Sequence, residues 1–350
     1  MSVTVRREPM AARAAAPAPQ RDSAHARKSG IIVAAAGILV LAALLAVGVG
    51  SVRFGLSETL GALFGQAADT SSTIIWDLRL PRIGLALLIG ANLAASGALL
   101  QSAMHNPLAD PGLTGVSSGA SVAVLFILLV APQFTAVVPL AALVGGSIAT
   151  VMVFLFAWQP AKGMSPMRVI LAGVAVNSVF GGITGLLSLL NSDKLPGAMA
   201  WLNGSLAGKG LGDVATLMPY SVLGWILLVC CIRSANVLRL GAEAAHNLGQ
   251  DLTRTRLLLC GTAVYLASIS ISTVGLIGFV GLVVPHMARL FVGTNARYMF
   301  PLSLIFGALV LLLADTVGRS LFTPLEIPAG IVMAVIGGPY FLYLLRRERS

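Results

Sequence analysis

Few residues in this chain have the type and spacing that catalysis or the binding of nucleotides and metals requires. The nearest match to a phosphate-binding loop is the glycine-rich segment 204–210, which is one residue short between its glycines. Gly210 also stands where a Ser or Thr would be needed to hold magnesium. We interpret the segment as a turn, so the sequence predicts no nucleotide site in this chain.

The cysteines and one histidine were the remaining candidates for a metal or catalytic site. Cys230, Cys231 and Cys260 lie inside apolar runs without metal-ligand spacing, where cysteine commonly serves as a small apolar residue. His286, beside Pro285, has the chemistry of a base or a metal ligand, but a lone histidine near a helix end is far more often structural. The sequence therefore predicts no catalytic residue and no metal site.

Composition points to a membrane protein. Of the 350 residues, 57% are hydrophobic and only 10% are charged, and the mean hydropathy is +0.91. A soluble domain needs far more charge to cover its surface. The net charge of +10 would suggest nucleic acid in a soluble protein. Here the positions of the charges favour a topology signal instead, and we expect no nucleic-acid partner.

The first 30 residues are expected to form a disordered basic cytoplasmic tail, followed by a transmembrane domain at 31–346. The tail is rich in Ala, Pro and Arg and holds six basic residues before the first apolar run. A signal peptide is the alternative. However, the run 31–50 is about as long as a full span and lacks a clear small-residue cleavage site, which favours a retained first helix.

Apolar runs predict about ten transmembrane helices and hence an all-α integral membrane protein. The runs cover 30–52, 83–104, 111–161, 169–192, 214–232, 257–288, 298–314 and 327–345. Two are too long for one crossing, and breaks at 131–133 and near 275–278 divide them. With both termini cytoplasmic, 17 of the 23 Lys and Arg are on the inside, as the positive-inside rule requires. The six on the outside are Arg53, Arg79, Arg82, Lys194, Lys209 and Arg319.

No charged residue lies at the middle of a predicted span. The notable polar residues there are Gln101 and Asn177, and either can simply bond a neighbouring helix. Proton- or sodium-coupled carriers usually need ionisable or ion-ligating groups at membrane depth. The pattern disfavours a secondary carrier without excluding it.

Several ordered motifs resemble one family across about residues 31–346. They are Arg79-Leu80-Pro81-Arg82, Gly97-Ala98-Leu99-Leu100-Gln101, Asn106-Pro107-Leu108-Ala109-Asp110-Pro111, Gly115-Val116-Ser117-Ser118-Gly119-Ala120, Leu171-Ala172-Gly173-Val174-Ala175, Trp201-Leu202-Asn203-Gly204-Ser205-Leu206, Gly278-Phe279-Val280-Gly281-Leu282-Val283-Val284-Pro285-His286, Ala314-Asp315 and Glu326-Ile327-Pro328-Ala329-Gly330-Ile331. The chain resembles the FecCD-type permeases of ABC importers for ferric siderophores, haem and cobalamin.

The resemblance implies a BtuC-like permease fold in the bacterial inner membrane. It also implies a second permease, identical or related, two ATPase subunits that use ATP and Mg²⁺, and a periplasmic or lipid-anchored binding protein. This chain would then bind no cofactor itself and would not be an enzyme. It would translocate ferric siderophore by alternating access within membrane lipid. The Trp201–Leu206 motif looks more like the siderophore branch, with cobalamin or haem import as the alternative.

The motif at 106–111 predicts a fixed turn between two spans. Pro107 and Pro111 stop helix continuation, while Asn106 and Asp110 can bond freed backbone groups. A structural turn and a direct role in gating both fit this pattern. Pro285 similarly interrupts a helical ladder in the eighth span.

The longest predicted cytoplasmic loop, 240–256, contains small residues on a short helix closed by a glycine. Such a helix suits docking into a groove on another protein. The resemblance implies that this loop receives the ATPase stroke through Ala245, Leu248 and Gly249. A simple connector is the alternative.

Two outer arginines, Arg79 and Arg319, are predicted to dock the binding protein. In the family, arginines at these motif positions pair with glutamates on its two lobes, which requires them to be exposed. Ordinary interfacial anchoring is the alternative. Arg82 could take the docking role instead, and Asp315 could hold Arg319 one helical turn away.

Overall fold

The computed structural model describes residues 20–50, 55, 58, 61, 72–159, 163–321 and 325–347. Within these residues the fold consists of helices and one two-residue hairpin. The helices are α1 (Gln20–Gly48), α2 (Leu80–Met104), α3 (Val116–Leu125), α4 (Val138–Ala157), α5 (Pro166–Leu190), α6 (Leu195–Leu202), α7 (Leu211–Leu238), α8 (Ala242–Asn247), α9 (Leu252–Val274), α10 (Val280–Val292), α11 (Ala296–Ser320) and α12 (Ala329–Arg347).

The described residues are roughly consistent with the predicted ten spans. Seven apolar helices are long enough to cross a membrane, and three shorter ones, Val116–Val130, Val280–Val292 and Ala329–Tyr343, bring the total to ten. Both long runs divide where expected. Pro132 follows the end of the third span, and Gly275 ends α9 with φ +82°, which an L-residue with a side chain rarely adopts.

The first helix starts earlier than the hydropathy pattern indicates. It begins at Gln20, so the last part of the predicted tail is helical. The rest of that tail lies outside the described residues, and its predicted disorder stays a prediction. Polar residues such as Arg27 and Lys28 extend a helix readily at a membrane surface, although they end a hydropathy window.

Contacts between helix ends define two ends of the bundle. At the first, the end of α1 and the start of α2 lie close to the end of α11, and we call it the Arg82 end. At the second, the end of α2 lies against the end of α7, and the end of α7 against the start of α11. We call it the His105 end. This arrangement follows from spans that alternate in direction.

Helix α2 is the centre of the bundle, and 89% of its most apolar stretch is buried. It packs against α7, α9, α10 and α11. Glycines permit two of these contacts. A Cβ added to Gly90 would lie 2.2 Å from the Gly307 carbonyl oxygen on α11, and one added to Gly97 would lie 1.8 Å from that of Gly281 on α10. Small residues at such crossings let the helix backbones touch.

Three local features were absent from the prediction. They are the short helix α6, the antiparallel pairing of Trp158–Gln159 with Gly163–Met164, and π-helical turns at Ile74–Arg79 and Phe126–Val130. All of them lie at span ends, where hydrogen bonding between nearby groups decides the backbone path. A hydropathy pattern carries little information about such paths.

Candidate functional site

A buried charge cluster joins the helices at the Arg82 end. The Nε of Arg82 donates to both carboxylate oxygens of Asp315, at 2.8 and 3.0 Å, and its Nη1 donates to Glu326 Oε2 at 2.7 Å. Asp315 is fully buried, whereas the Glu326 side chain is 42% exposed. Sequence reasoning missed this pairing because the residues are far apart in the chain. It predicted the Asp315–Arg319 pair, which is confirmed at 3.8 Å.

The two predicted docking arginines are buried, so the expectation that they are exposed is wrong. Arg79 is 5% exposed and Arg319 is 4% exposed. Arg79 Nη1 donates to the Val47 carbonyl oxygen at 2.5 Å, and Arg319 Nη2 donates to that of Ala46 at 2.6 Å. These carbonyls belong to the last turn of α1. Carbonyls there have no N–H partner within the helix, and the negative end of the helix dipole attracts cations. Their docking role stays a prediction.

The segment 106–111 forms the predicted turn at the His105 end. The Asn106 side chain accepts from the Leu108 N–H at 2.9 Å, and the Asp110 side chain accepts from the Gly112 N–H at 2.8 Å. Pro111 begins a short 3₁₀-helix, Pro111–Thr114. Burial raises the pKa of the Asp110 carboxyl, although the bond from the Gly112 N–H opposes the shift. The expected bonds to freed backbone groups are therefore confirmed.

Gln101 connects the end of α2 to α10. Its Nε2 donates to the carbonyls of Gly281 and Leu282, at 3.3 and 3.1 Å, and its Oε1 accepts from Arg289. Pro285 is buried inside the same helix, and its carbonyl accepts from Arg289 Nε at 3.4 Å. The Gln101 side chain thus ties α10 to α2. A gating role for Pro285 stays a prediction.

Two polar residues inside the spans bond neighbouring segments. Asn177 on α5 accepts from Ser118 at 2.6 Å and donates to the Gly112 carbonyl at 3.0 Å, as expected of a bond between helices. Asn92, in the middle of α2, was overlooked by sequence reasoning. It donates to Ser221 at 2.8 Å and accepts from Trp225 Nε1 at 2.9 Å. Its position inside an apolar run was the available signal.

The predicted coupling segment contains α8 and a well-formed helix end. The Gln250 N–H donates to the Ala245 carbonyl at 3.0 Å, and the Gly249 N–H donates to that of His246 at 2.8 Å. Gly249 has φ +77°, so this pair of bonds is a Schellman motif. Ala245 is fully buried, while the Leu248 side chain is 65% exposed. Leu248 is therefore an exposed apolar residue next to the glycine of this Schellman motif.

The Trp201–Leu206 motif is a structural loop at the Arg82 end. The Ser205 N–H donates to the Val274 carbonyl at 2.9 Å, and the Gly330 N–H donates to that of Gly204 at 3.1 Å. These bonds tie the loop to the end of α9 and the start of α12. Glycines at positive φ, Gly204 and Gly208, shape the segment, which confirms the turn predicted for 204–210. Leu206 is buried, so this motif serves packing.

Groups of three or more His, Cys, Asp or Glu side chains that could hold a metal ion are absent from the described residues. Within the same residues, all three cysteines are unpaired. Cys231 and Cys260 are buried, and Cys230 is exposed on an apolar helix.

Known proteins are similar to this chain in sequence and in architecture. The FecCD transport family matches residues 38–347. The Fe(3+)-citrate import system permease protein YfmE of Bacillus subtilis is 38% identical over 318 residues, which are 91% of this chain and 95% of that protein. The cobalamin import system permease protein BtuC of Halobacterium salinarum is 43% identical over 280 residues, 79% of this chain and 74% of that one.

A solved structure described as a metal-chelate type ABC transporter in an inward-facing conformation superposes with a TM-score of 0.80. It is 30% identical, and the match covers 91% of this chain and 99% of that one. The chain therefore belongs to the FecCD transport family and is a multi-pass membrane permease subunit.

Proposed function

We propose that this chain carries ferric siderophore complexes across the bacterial inner membrane as the permease of a binding-protein-dependent ABC importer. The observation that carries the proposal is the full-length similarity to an Fe(3+)-citrate import permease, over 91% of this chain. Both termini are cytoplasmic in this proposal, so the Arg82 end faces outward and the His105 end faces the cytoplasm. The bias of Lys and Arg toward the predicted inner segments supports that orientation.

Transport is driven from the His105 end by two separate ATPase subunits that use ATP and Mg²⁺. The coupling segment fits this task because Leu248 is exposed on a turn that the Schellman motif holds in place. An apolar side chain on a rigid turn transmits the movement of a bound ATPase better than one on a mobile loop does. The buried Ala245 anchors α8 on the bundle. ATP-driven movement of this segment then rocks the spans between outward-open and inward-open states.

The binding protein delivers cargo at the Arg82 end. The cluster there contains Arg79, Arg82, Arg319, Asp315 and Glu326, with a formal charge of +1. An excess of positive charge favours an acidic docking surface. Because Arg79 and Arg319 are bound to α1 carbonyls, a docking carboxylate has to exchange with those carbonyls. Docking would therefore loosen the end of α1.

A second permease, identical or related, completes the pathway. Helix α5 is only 17% buried along its most apolar stretch, and Leu186, Leu189 and Leu190 are exposed on it. Large exposed apolar faces on a membrane helix are covered by lipid or by another subunit. The cargo would pass between the two permeases without covalent chemistry.

Cobalamin import is the second candidate, and one observation favours it. The cobalamin permease named above has the higher identity, 43%, although over a shorter share of both chains. The Trp201–Leu206 motif discriminates less well than the sequence suggested, since it packs between α9 and α12. The siderophore proposal therefore rests on the longer match. Haem import is a further alternative with the same architecture.

Uptake measurements test this proposal. Cells with and without the chain, with partner subunits held constant, are supplied separately with radiolabelled ferric siderophores, cobalamin and haem. Loss of siderophore uptake alone supports the proposal, whereas loss of cobalamin or haem uptake alone would replace the cargo. Deleting the partner ATPase should abolish uptake as well. Uptake that survives this deletion would indicate a secondary carrier and overturn the importer.

A further inference from the structure

A cavity of about 170 Å³ lies between four helices at the His105 end. The ends of α2, α7 and α10 and the start of α11 contribute to its wall. A buried water occupies about 30 Å³, so the cavity has room for a polar group together with several waters. Its walls come from segments far apart in sequence, and none of the roles described above uses the space.

The charge of the cavity wall is positive. Arg239 and Arg289 line it together with His105, while no Asp or Glu among the described residues does so. Arg289 donates to Gln101 Oε1, and Arg239 Nη1 donates to Thr294 Oγ1. Both of these acceptors are neutral groups, and they orient the guanidinium groups. Oriented guanidinium groups match the geometry of phosphate oxygens.

The third basic side chain of the wall, His105, is also held in place. His105 Nε2 donates to the Leu238 carbonyl at 2.7 Å, which ties the end of α2 to the end of α7. His105 has φ 48°, a left-handed conformation that is uncommon for a residue with a side chain. The cavity is therefore bounded by a fixed arrangement of helix ends.

A third cation reaches the other side of the same wall from α1. A Cβ added to Gly293, next to Thr294, would lie 3.8 Å from Lys28 Nζ. Lys28 also lies over the Tyr298 ring, 5.6 Å from its centroid. Most of α1 is exposed, which is typical of a helix surrounded by lipid. Lys and Tyr at the end of such a helix lie at the level of the lipid headgroups.

We propose that this cavity binds a phosphoryl group, supplied by the headgroup of an anionic phospholipid or by inorganic phosphate. Basic pockets between membrane helices on the cytoplasmic side bind such headgroups. Lys28 and Tyr298 on the neighbouring surface favour the lipid as the source. An acidic side chain of the ATPase would be a different kind of occupant, and the experiment below distinguishes it from a phosphoryl group. The inference uses the proposed orientation, but its test measures binding and does not depend on cargo or uptake.

A bound phosphoryl group would connect two segments that the proposed function uses. Arg239 immediately precedes the coupling segment, and His105 immediately precedes the turn at 106–111. A contact from Arg239 to an anion held in the cavity would add to the bond that already ties the end of α2 to the end of α7. The lipid would thus be a structural ligand of the ATPase-facing end of the permease.

The test compares Arg239→Gln with Arg233→Gln in the assembled importer. Both arginines are exposed near the end of α7, but only Arg239 lines the cavity. The complex is reconstituted with phosphatidylcholine and phosphatidylglycerol, extracted, and analysed by native mass spectrometry for retained lipid. Delipidated complex is titrated separately with radiolabelled inorganic phosphate. Losing one cationic contact should weaken binding about fivefold to tenfold.

Selective retention of phosphatidylglycerol that Arg239→Gln lowers and Arg233→Gln does not would support the proposal, with lipid as the source. The same difference seen only in the phosphate titration would support it with free phosphate as the source. Equal binding by both variants in both arms would overturn it. Modification of Arg239 by phenylglyoxal gives an independent readout. Protection that requires the ATPase and is independent of lipid and phosphate would assign the cavity to an acidic ATPase side chain, and so overturn the proposal.

Discussion

Arg82 Nε lies 2.8 Å from Asp315 Oδ1, and this ion pair joins the start of α2 to the end of α11 across 233 residues of sequence. The same two helices touch deeper in the bundle, where Gly90 faces Gly307. Charge pairing and close packing therefore hold α2 and α11 together at two levels. We expect them to move as one unit during transport.

Removing the charge of Asp315 should destabilise the permease. Asp315→Asn leaves Arg82 and Arg319 buried without their shared counter-ion. Breaking one partner of a buried pair typically costs about 3–5 kcal/mol. The matched change Glu326→Gln removes a carboxylate whose side chain is 42% exposed, and should cost less than about 1 kcal/mol. Thermal unfolding of the purified protein measures both, and equal losses would contradict the assignment.

Adding a methyl group at Gly90 should also destabilise the bundle. The Cβ of Gly90→Ala would lie 2.2 Å from the Gly307 carbonyl oxygen, which forces the helices apart. Overpacking of this kind costs about 1–3 kcal/mol. Gly37→Ala is the control, because a Cβ there meets nothing within 4 Å and alanine favours a helix. The unfolding temperature should fall for Gly90→Ala only.

The sequence predicted the spans because their signal is local, whereas the charge cluster depends on how the helices meet. The break at 131–133 could be read from Pro132 alone. The burial of Arg79 and Arg319 could not be predicted from the sequence, since it depends on bonds to α1 carbonyls elsewhere in the chain. Asn106 and Asp110 were predicted correctly because they bond backbone groups two residues away. For Asp315 the sequence predicted only the pair with Arg319, one helical turn away. Helical spacing gives no information about the pair with Arg82, which lies on another helix.

Asp110 should make stability depend on pH. Its pKa is raised above 3.8 in the folded protein, chiefly because the carboxyl is buried. The folded state therefore binds the proton more tightly than the unfolded chain does, and stability falls as pH rises above about 4. Asp110→Asn cannot ionise but can still accept from the Gly112 N–H. Its unfolding temperature relative to that of the wild type should increase from about pH 4 to about pH 7, and a flat difference would contradict this.

Replacing Gly249 should uncouple ATP hydrolysis from transport. Gly249 has φ +77°, and a β-branched residue such as that in Gly249→Val strains this conformation and the Schellman motif. Asparagine adopts left-handed geometry more readily, so Gly249→Asn is the matched control. We expect transport per ATP in proteoliposomes to fall for Gly249→Val and to be largely retained for Gly249→Asn. Wild-type coupling in the valine variant would refute the role of this segment.

Docking of the binding protein can be separated from the structural role of the two buried arginines. The double variant Arg79→Gln, Arg319→Gln keeps N–H donors for the Val47 and Ala46 carbonyls while it removes both charges. If charge guides docking, affinity for the binding protein should fall at least about tenfold at low salt, and its salt dependence should weaken.

The alanine double variant at the same positions controls for the capping of α1. Alanine removes the donors as well as the charges, so it should lower the unfolding temperature more than glutamine does, because the last carbonyls of α1 lose these partners. Binding measured by surface plasmon resonance on folded, membrane-inserted protein separates the two roles. Unchanged affinity in the glutamine variant would mean that Arg79 and Arg319 serve only to hold α1 against α2 and α11.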